Sequence, residues 1–187
     1  CRLTATPSIL QGRRDLTEYM WDPYMDLLSG KALSLYEYNL AYDIPLYLHI
    51  HCGQDNESML AFWWYASTCR HLGIGGVSDP NSKLYQALKA AMKTYRALKP
   101  FYARGEFHGL NQLAHVHSLP ERNQAIINLF NLGSQEASRR VEVDLARIGL
   151  REVESVSGAE WERTTAGIAL RARVPALSPA LVKVNVD

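Results

Sequence analysis

His49 and His51 alternate at the end of the run IPLYLHI, with Cys52 next and Asp55 close behind. Alternation by two puts both imidazoles on one face of an extended strand, where they can donate and accept hydrogen bonds with a ligand's hydroxyl groups. H-x-H beside a thiol and a carboxylate also offers metal-ligand types, but the spacing matches no specific zinc signature, and no metal is expected. A reading without ligand chemistry stays open: two ordinary loop histidines, with Asp55 capping the helix that follows. The second cluster is Arg13, Arg14, Asp15, Trp21 and Asp22. Arg and Asp side chains engage hydroxyls at two points, and an indole face stacks on a ligand ring. The alternative is Asp15 as an N-cap with Trp21 in the core. Asp22 is the carboxylate to test first for catalysis.

Other conspicuous residues have simpler readings. Trp63, Trp64 and Tyr65 are consecutive, so on a helix they point about 100° apart and belong to a core rather than a platform. Arg70 and His71 are read as closing that helix, complementing its dipole. GIGG (Gly73 to Gly76) lacks the spacing of a phosphate loop. Cys69 reads as a buried thiol. His115 and His117 form another H-x-H, placed on a solvent or domain-interface face and read as structural. Ser118 has no G-x-S-x-G context, so serine-hydrolase chemistry has no support.

The elements that must position these residues change character near Gly105. Before it, Trp21 to Tyr42 reads as one or two helices broken near Pro23 and Gly30. IPLYLHI reads as a strand apolar on both faces, buried and parallel. MLAFWWYASTCRHL reads as a buried helix ending at Gly73, and GIGGV as a very short strand. An amphipathic helix then carries Leu84, Leu88, Met92, Tyr95 and Leu98 on one face. That alternation predicts a parallel sheet with helical crossovers. After Gly105, AIINLFN, RRVEVDLARIGL, WERTTAGIALRARVP and LVKVNVD read as short antiparallel strands, as in a small β-sandwich. In RRVEVDLARIGL, Val141, Val143 and Leu145 alternate with Glu142 and Asp144, giving one wet face.

Composition bounds the function. The 187 residues are 47% hydrophobic and 21% charged, which supports a folded core and excludes a disordered tail. Lys plus Arg number 20 against 19 acids, a net charge of +1. No electrostatic case for nucleic acid or an anionic membrane follows from that balance. No apolar run approaches the roughly 20 residues of a membrane span, so a soluble protein is expected. Three cysteines make no disulfide framework. The opening CRLTATPS is not expected to be that of a secretory precursor and reads as part of a longer or processed chain; a mature lipoprotein would also begin with Cys.

RRDLTEYMWDPYMD, NLAYDIPLYLHI, FWWYASTCRHLGIGG, FYARGEFHG and AIINLFNLGS…VEVDLARIGL together resemble the C-terminal portion of bacterial glycoside hydrolases of the α-galactosidase-like kind. The resemblance covers nearly the whole chain and is strongest from Arg13 to Gly76. It implies a fold that is α/β plus all-β: the last βα units of a (β/α)8 barrel in residues 1–105, then a small antiparallel β-sandwich in residues 106–187. It implies a carbohydrate substrate and no cofactor. Barrel strands end at the active site, so His49, His51 and Asp55 become sugar contacts, with Arg13, Arg14, Asp15 and Trp21 as a saccharide subsite. The nucleophile is expected upstream of this chain, and the isolated chain is expected to be inactive. The rival expectation is a non-catalytic saccharide-binding or structural module that pairs with another chain. A homo-oligomer through the open sheet edge is a further possibility.

Overall fold

The computed structural model describes residues 22–42 and 45–186. Helices α1 (Pro23–Leu28) and α2 (Leu33–Tyr42) lead into strand β1 (Leu46–His51), helix α3 (Leu60–Ala66), strand β2 (Cys69–Gly75) and helix α4 (Lys83–Arg104). Eight strands follow: β3 (Glu106–Asn111), β4 (Ala114–Leu119), β5 (Gln124–Asn131), β6 (Ala137–Asp144), β7 (Val156–Ser157), β8 (Glu160–Arg163), β9 (Gly167–Val174) and β10 (Ser178–Val184). The protein is thus mixed helix and sheet, and the helical portion gives way to antiparallel strands at Gly105.

Pro23 occupies the first turn of α1, where a missing N–H costs nothing, and Asp22 is the N-cap, accepting from the Met25 N–H at 3.0 Å. Gly30, at φ +82°, ends this helical segment. Helix α4 starts at Ser82, whose hydroxyl accepts from the Tyr85 N–H. Its apolar stripe, Leu84, Leu88, Met92, Tyr95 and Leu98, packs into the core as the periodicity predicts.

The helix expected to run to Gly73 stops instead at Ala66. The hydroxyls of Ser67 and Thr68 donate back to the carbonyls of Trp64 and Tyr65, closing the last turn. The next seven residues, Cys69–Gly75, form β2 and pair in parallel with β1. Arg70 and His71 therefore do not complement the α3 dipole. Arg70 reaches a different helix end: its guanidinium donates to the carbonyl of Ala103 at 2.8 Å, and to that of Gly105 beyond α4.

Two antiparallel sheets follow, ordered β3-β4-β5-β10-β7 and β6-β9-β8. They share an apolar core, with Val116, Ile127 and Leu129 from the first facing Val143, Leu170 and Val174 from the second. β6 has the single wet face read from its alternation. β4 and β5 do not alternate, because the five-stranded sheet is buried on both faces. Its second face meets the helices through Leu119, Ile126, Leu98, Phe101 and Tyr102.

His115 and His117 lie on that second face, fully buried rather than in solvent. The Tyr36 ring stacks on His115 at 5.2 Å, and Tyr102 meets His117 edge-on at 4.9 Å. Burial pushes the His115 imidazole down to about 3 and His117 down to about 4, so both are neutral near pH 7. Trp64 and Tyr65 are fully buried, in agreement with a core role. Among the described residues, no helix is long and apolar enough to cross a membrane.

Candidate functional site

The site begins with the alternation of β1. Leu46, Leu48 and Ile50 point into the core beneath α3, whereas Tyr47 and His49 are exposed and His51 is half-buried on the opposite face. The strand is therefore not buried on both sides, because among the described residues no layer covers the second face. In the parallel register, Tyr47 lies beside His71, His49 beside Gly73 and His51 beside Gly75. The Tyr47 and His71 rings stack at 6.3 Å, and His71 and His49 follow at 6.2 Å. A row of rings thus runs along one open sheet face.

Three glycines make space for these imidazoles. A side chain at Gly73 would collide with the His49 ring, and one at Gly53 or Gly76 would collide with the His51 ring. Gly76 also has φ +88°, a conformation that L residues rarely adopt. The His51 ring is held from its other side as well. The Gly53 N–H donates to Nδ1 at 3.3 Å, and the Gln54 side-chain amide lies 3.2 Å from the same nitrogen. His51 is consequently a placed side chain at the carboxyl end of its strand.

Asp55 is turned the other way. Its Oδ1 accepts from the N–H groups of Asn56 and Ala61 at 2.9 and 3.0 Å, and its Oδ2 from Phe62 at 2.8 Å. The bonds to Ala61 and Phe62 satisfy orphan donors at the start of α3, where Met59, at φ 55°, supplies no side-chain cap. Burial raises the Asp55 pKa, the three N–H bonds oppose that rise, and the charge of Asp22 adds to it. The Tyr24 phenol is also raised, first by burial, while a hydrogen bond with Asn56 lowers it and both carboxylates raise it. Asp22 and Asp55 therefore share one electrostatic neighbourhood, where the start of α1 meets the β1–α3 loop. The thiols are quiet: burial pushes both Cys52 and Cys69 up to about 12, away from reactive thiolate.

The structure thus brings His49 and His51 onto one face and Asp22 near Asp55, with the Asp55 oxygens directed to backbone donors. Arg13, Arg14, Asp15 and Trp21 lie outside the described residues. Tyr47, given no role by the sequence, and His71, expected at a helix end, join the row. The period of two in LYLHIH carried the signal for Tyr47; His71 was hidden because the preceding helix was extended through it. Among the described residues, no group of three or more His, Cys, Asp or Glu side chains could hold a metal ion.

No protein-family model and no curated protein matches the chain. Solved structures do. A putative α-N-acetylgalactosaminidase from Bacillus halodurans superposes over 100% of this chain and 48% of its own, with TM-score 0.55 and 14% identity. An α-amylase from Geobacillus thermoleovorans matches 82% of this chain and 42% of its own, with TM-score 0.53 and 15% identity. A debranching enzyme from Nostoc punctiforme matches 80% and 39%, again with TM-score 0.53 and 15% identity. The chain spans less than half the length of each. In fold, then, it is similar to part of several glycoside hydrolases, in keeping with the resemblance in its sequence.

Proposed function

We propose that the chain is the C-terminal part of a glycoside hydrolase. Residues 1–105 would supply the last βα units of a (β/α)8 barrel, and residues 106–187 a small β-sandwich beside it. One observation carries this reading: β1 and β2 are parallel and bury one face under helices, while the other presents Tyr47, His49, His71 and His51. In a barrel the helices cover the outside, and the opposite face lines the interior. Polar rings concentrated there, with His51 at the carboxyl end, suit hydrogen bonding to sugar hydroxyls and stacking on sugar rings.

In this reading His49 and His51 contact substrate, and Asp55 holds the loop after β1 in place. Arg13, Arg14, Asp15 and Trp21 add saccharide contacts, and Asp22 is the carboxylate offered to the reaction. Glycoside hydrolysis needs two carboxyl groups, about 5–5.5 Å apart for retention and about 6.5–9.5 Å for inversion. Asp55 is committed to three backbone donors, so a second working carboxylate, the nucleophile, is assigned to an upstream part of a longer protein.

The test is to assay the isolated chain and the longer protein on aryl α-glycosides. The expected result is no turnover by the chain alone, and turnover by the longer protein that falls at least tenfold in kcat/KM on His51→Ala. Turnover by the chain alone that Asp22→Asn abolishes would refute the upstream nucleophile. The second reading, a non-catalytic saccharide-binding or structural module, draws on the two-stranded parallel sheet, whose outer edges have no strand partner among the described residues. It predicts sugar binding, or assembly through that edge with another chain or a second copy, with no activity in any context.

A further inference from the structure

Among the described residues, four strands border the two antiparallel sheets: β3 and β7 in one, β6 and β8 in the other. An exposed border is a template for pairing with another chain, and three of these four are blunted. β7 has two residues and β8 has four. β3 is interrupted by a register shift between Gly109 and Asn111. β6 is different. It runs for eight residues without Gly or Pro, and its register with β9 is unbroken. No described strand pairs with its outer side, where a cleft of about 350 Å3 opens beside the β3–β4 turn.

Backbone parity decides which residues can pair there. The Leu145 N–H donates to the Ala166 carbonyl at 3.3 Å, continuing the β6–β9 ladder beyond the strand. Bonded positions alternate along an antiparallel ladder. Val141 and Val143 therefore bond to β9, whereas Arg140 and Glu142 turn their N–H and C=O groups to the open side. The side chains of Arg140 and Glu142 are exposed on the wet face of the sheet. Arg140 lies 3.5 Å from Glu142 and 3.4 Å from Glu162 of β8, so acid and base already alternate on this face.

We propose that β6 pairs antiparallel with β6 of a second copy of this chain, about a two-fold axis between the two Val141 residues. In that register Arg140 of each copy lies opposite Glu142 of the other. Both are outward-bonding positions, so each such pair exchanges two main-chain hydrogen bonds. The four side chains form a square in which every neighbour carries the opposite charge. On the core side the two Val141 side chains oppose each other as a β-branched pair, at the closer spacing of a position without hydrogen bonds. Sliding by two residues would set Arg140 against Arg140, or Glu142 against Glu142. Sliding by one would set Arg140 against Val141, wet face against core face. Charge and parity thus select one register, and that register is self-complementary, as a closed dimer requires. The proposal does not rest on the glycosidase reading, since none of its residues belongs to the β1–β2 face.

The test is sedimentation equilibrium of the whole 187-residue chain. The expected result is a concentration-dependent dimer, twice the 21.1 kDa of one chain. Arg140→Glu and Glu142→Arg each place four like charges in the square, and each should weaken self-association roughly tenfold or more. Mixed in equal amounts, the two variants should form a heterodimer, because the acids of one then meet the arginines of the other. The double variant Arg140→Glu/Glu142→Arg should self-associate like the parent. Glu142→Pro removes an outward-facing N–H at an edge, where proline is tolerated, and should abolish the dimer; it covers the case in which a charge reversal does not fold. A chain still monomeric at about 1 mM, a dimer that survives a single reversal or the proline, or a mixture that fails to pair would each overturn the proposal.

Discussion

The hydroxyl of Ser67 lies 2.7 Å from Nδ1 of His115 and ties the turn after α3 to the middle of β4. The same hydroxyl lies 2.9 Å from the Trp64 carbonyl, so it bridges the end of α3 and the imidazole. The carbonyl of the same serine accepts from Nε2–H of His117 at 2.8 Å. One residue thus engages both buried histidines and joins the helical portion to the five-stranded sheet.

Ser67→Ala should leave Nδ1 of His115 buried and unpaired. The expected cost is about 1–3 kcal/mol, the range for an orphaned buried polar group. At this chain length that lowers the melting temperature by about 2–4 °C per kcal/mol. Denaturant unfolding measures it directly, and an unchanged midpoint would show that the bond contributes nothing net.

Stability should fall on mild acidification. His115 and His117 have folded values pushed down to about 3 and about 4, against an ordinary 6.5. Above pH 6.5 both states are neutral and the contribution is complete. Below it the unfolded chain takes up protons that the folded protein refuses, so stability drops by up to roughly 1.4 kcal/mol per pH unit for each histidine. The loss runs down to the folded values. Asp55 acts in the opposite sense, because its raised pKa lets the folded state bind a proton first, but only where carboxylates titrate. Urea midpoints at pH 7, 6 and 5 should decline in sequence, and a folded His117→Gln variant should decline less steeply.

Asp55→Ala should destabilise by about 1–2 kcal/mol, the usual cost of losing a helix cap. Asp55→Asn should cost less, since one acceptor oxygen remains. Hydrogen exchange reads the effect locally: the Ala61 and Phe62 amides should lose protection, while those of β5 and β9 change only with global stability.

Gly76→Ala should disturb the site selectively. The new methyl would meet the His51 ring at a residue with φ +88°, so either the ring or the backbone must move. The expected signature is a shifted His51 imidazole resonance with a stability loss of about 1–3 kcal/mol. In the longer protein proposed above, kcat/KM should fall with it. An unmoved His51 resonance would mean that the glycine does not position the ring.

Much of this architecture is local in origin. The 3.6-residue stripe of α4, the wet-and-dry alternation of β6 and the turn-bounded runs after Gly105 are periodicities, and each predicts its own element with no knowledge of its partners. The shared face of His49 and His51 follows from the same rule. The end of α3 does not. Cys69 to Gly75 lies next to a helix and is flexible in its preference; it becomes a strand because β1 supplies the hydrogen-bond ladder, a non-local partner. That single displacement moved His71 from a helix end to the row of rings.

The remaining decisions were tertiary too. In a linear reading Asp55 stands with His49 and His51 as a candidate ligand contact, while His115 and His117 read as structural but with no sign of how deeply they lie. Packing directs the Asp55 oxygens to the start of α3 and seals the two histidines between sheet and helices, while His49 and His51 keep an open face. Local sequence chooses which side of an element a residue occupies. Whether that side meets solvent, ligand or another layer depends on contacts between segments far apart in the chain, and these form only when the whole fold does.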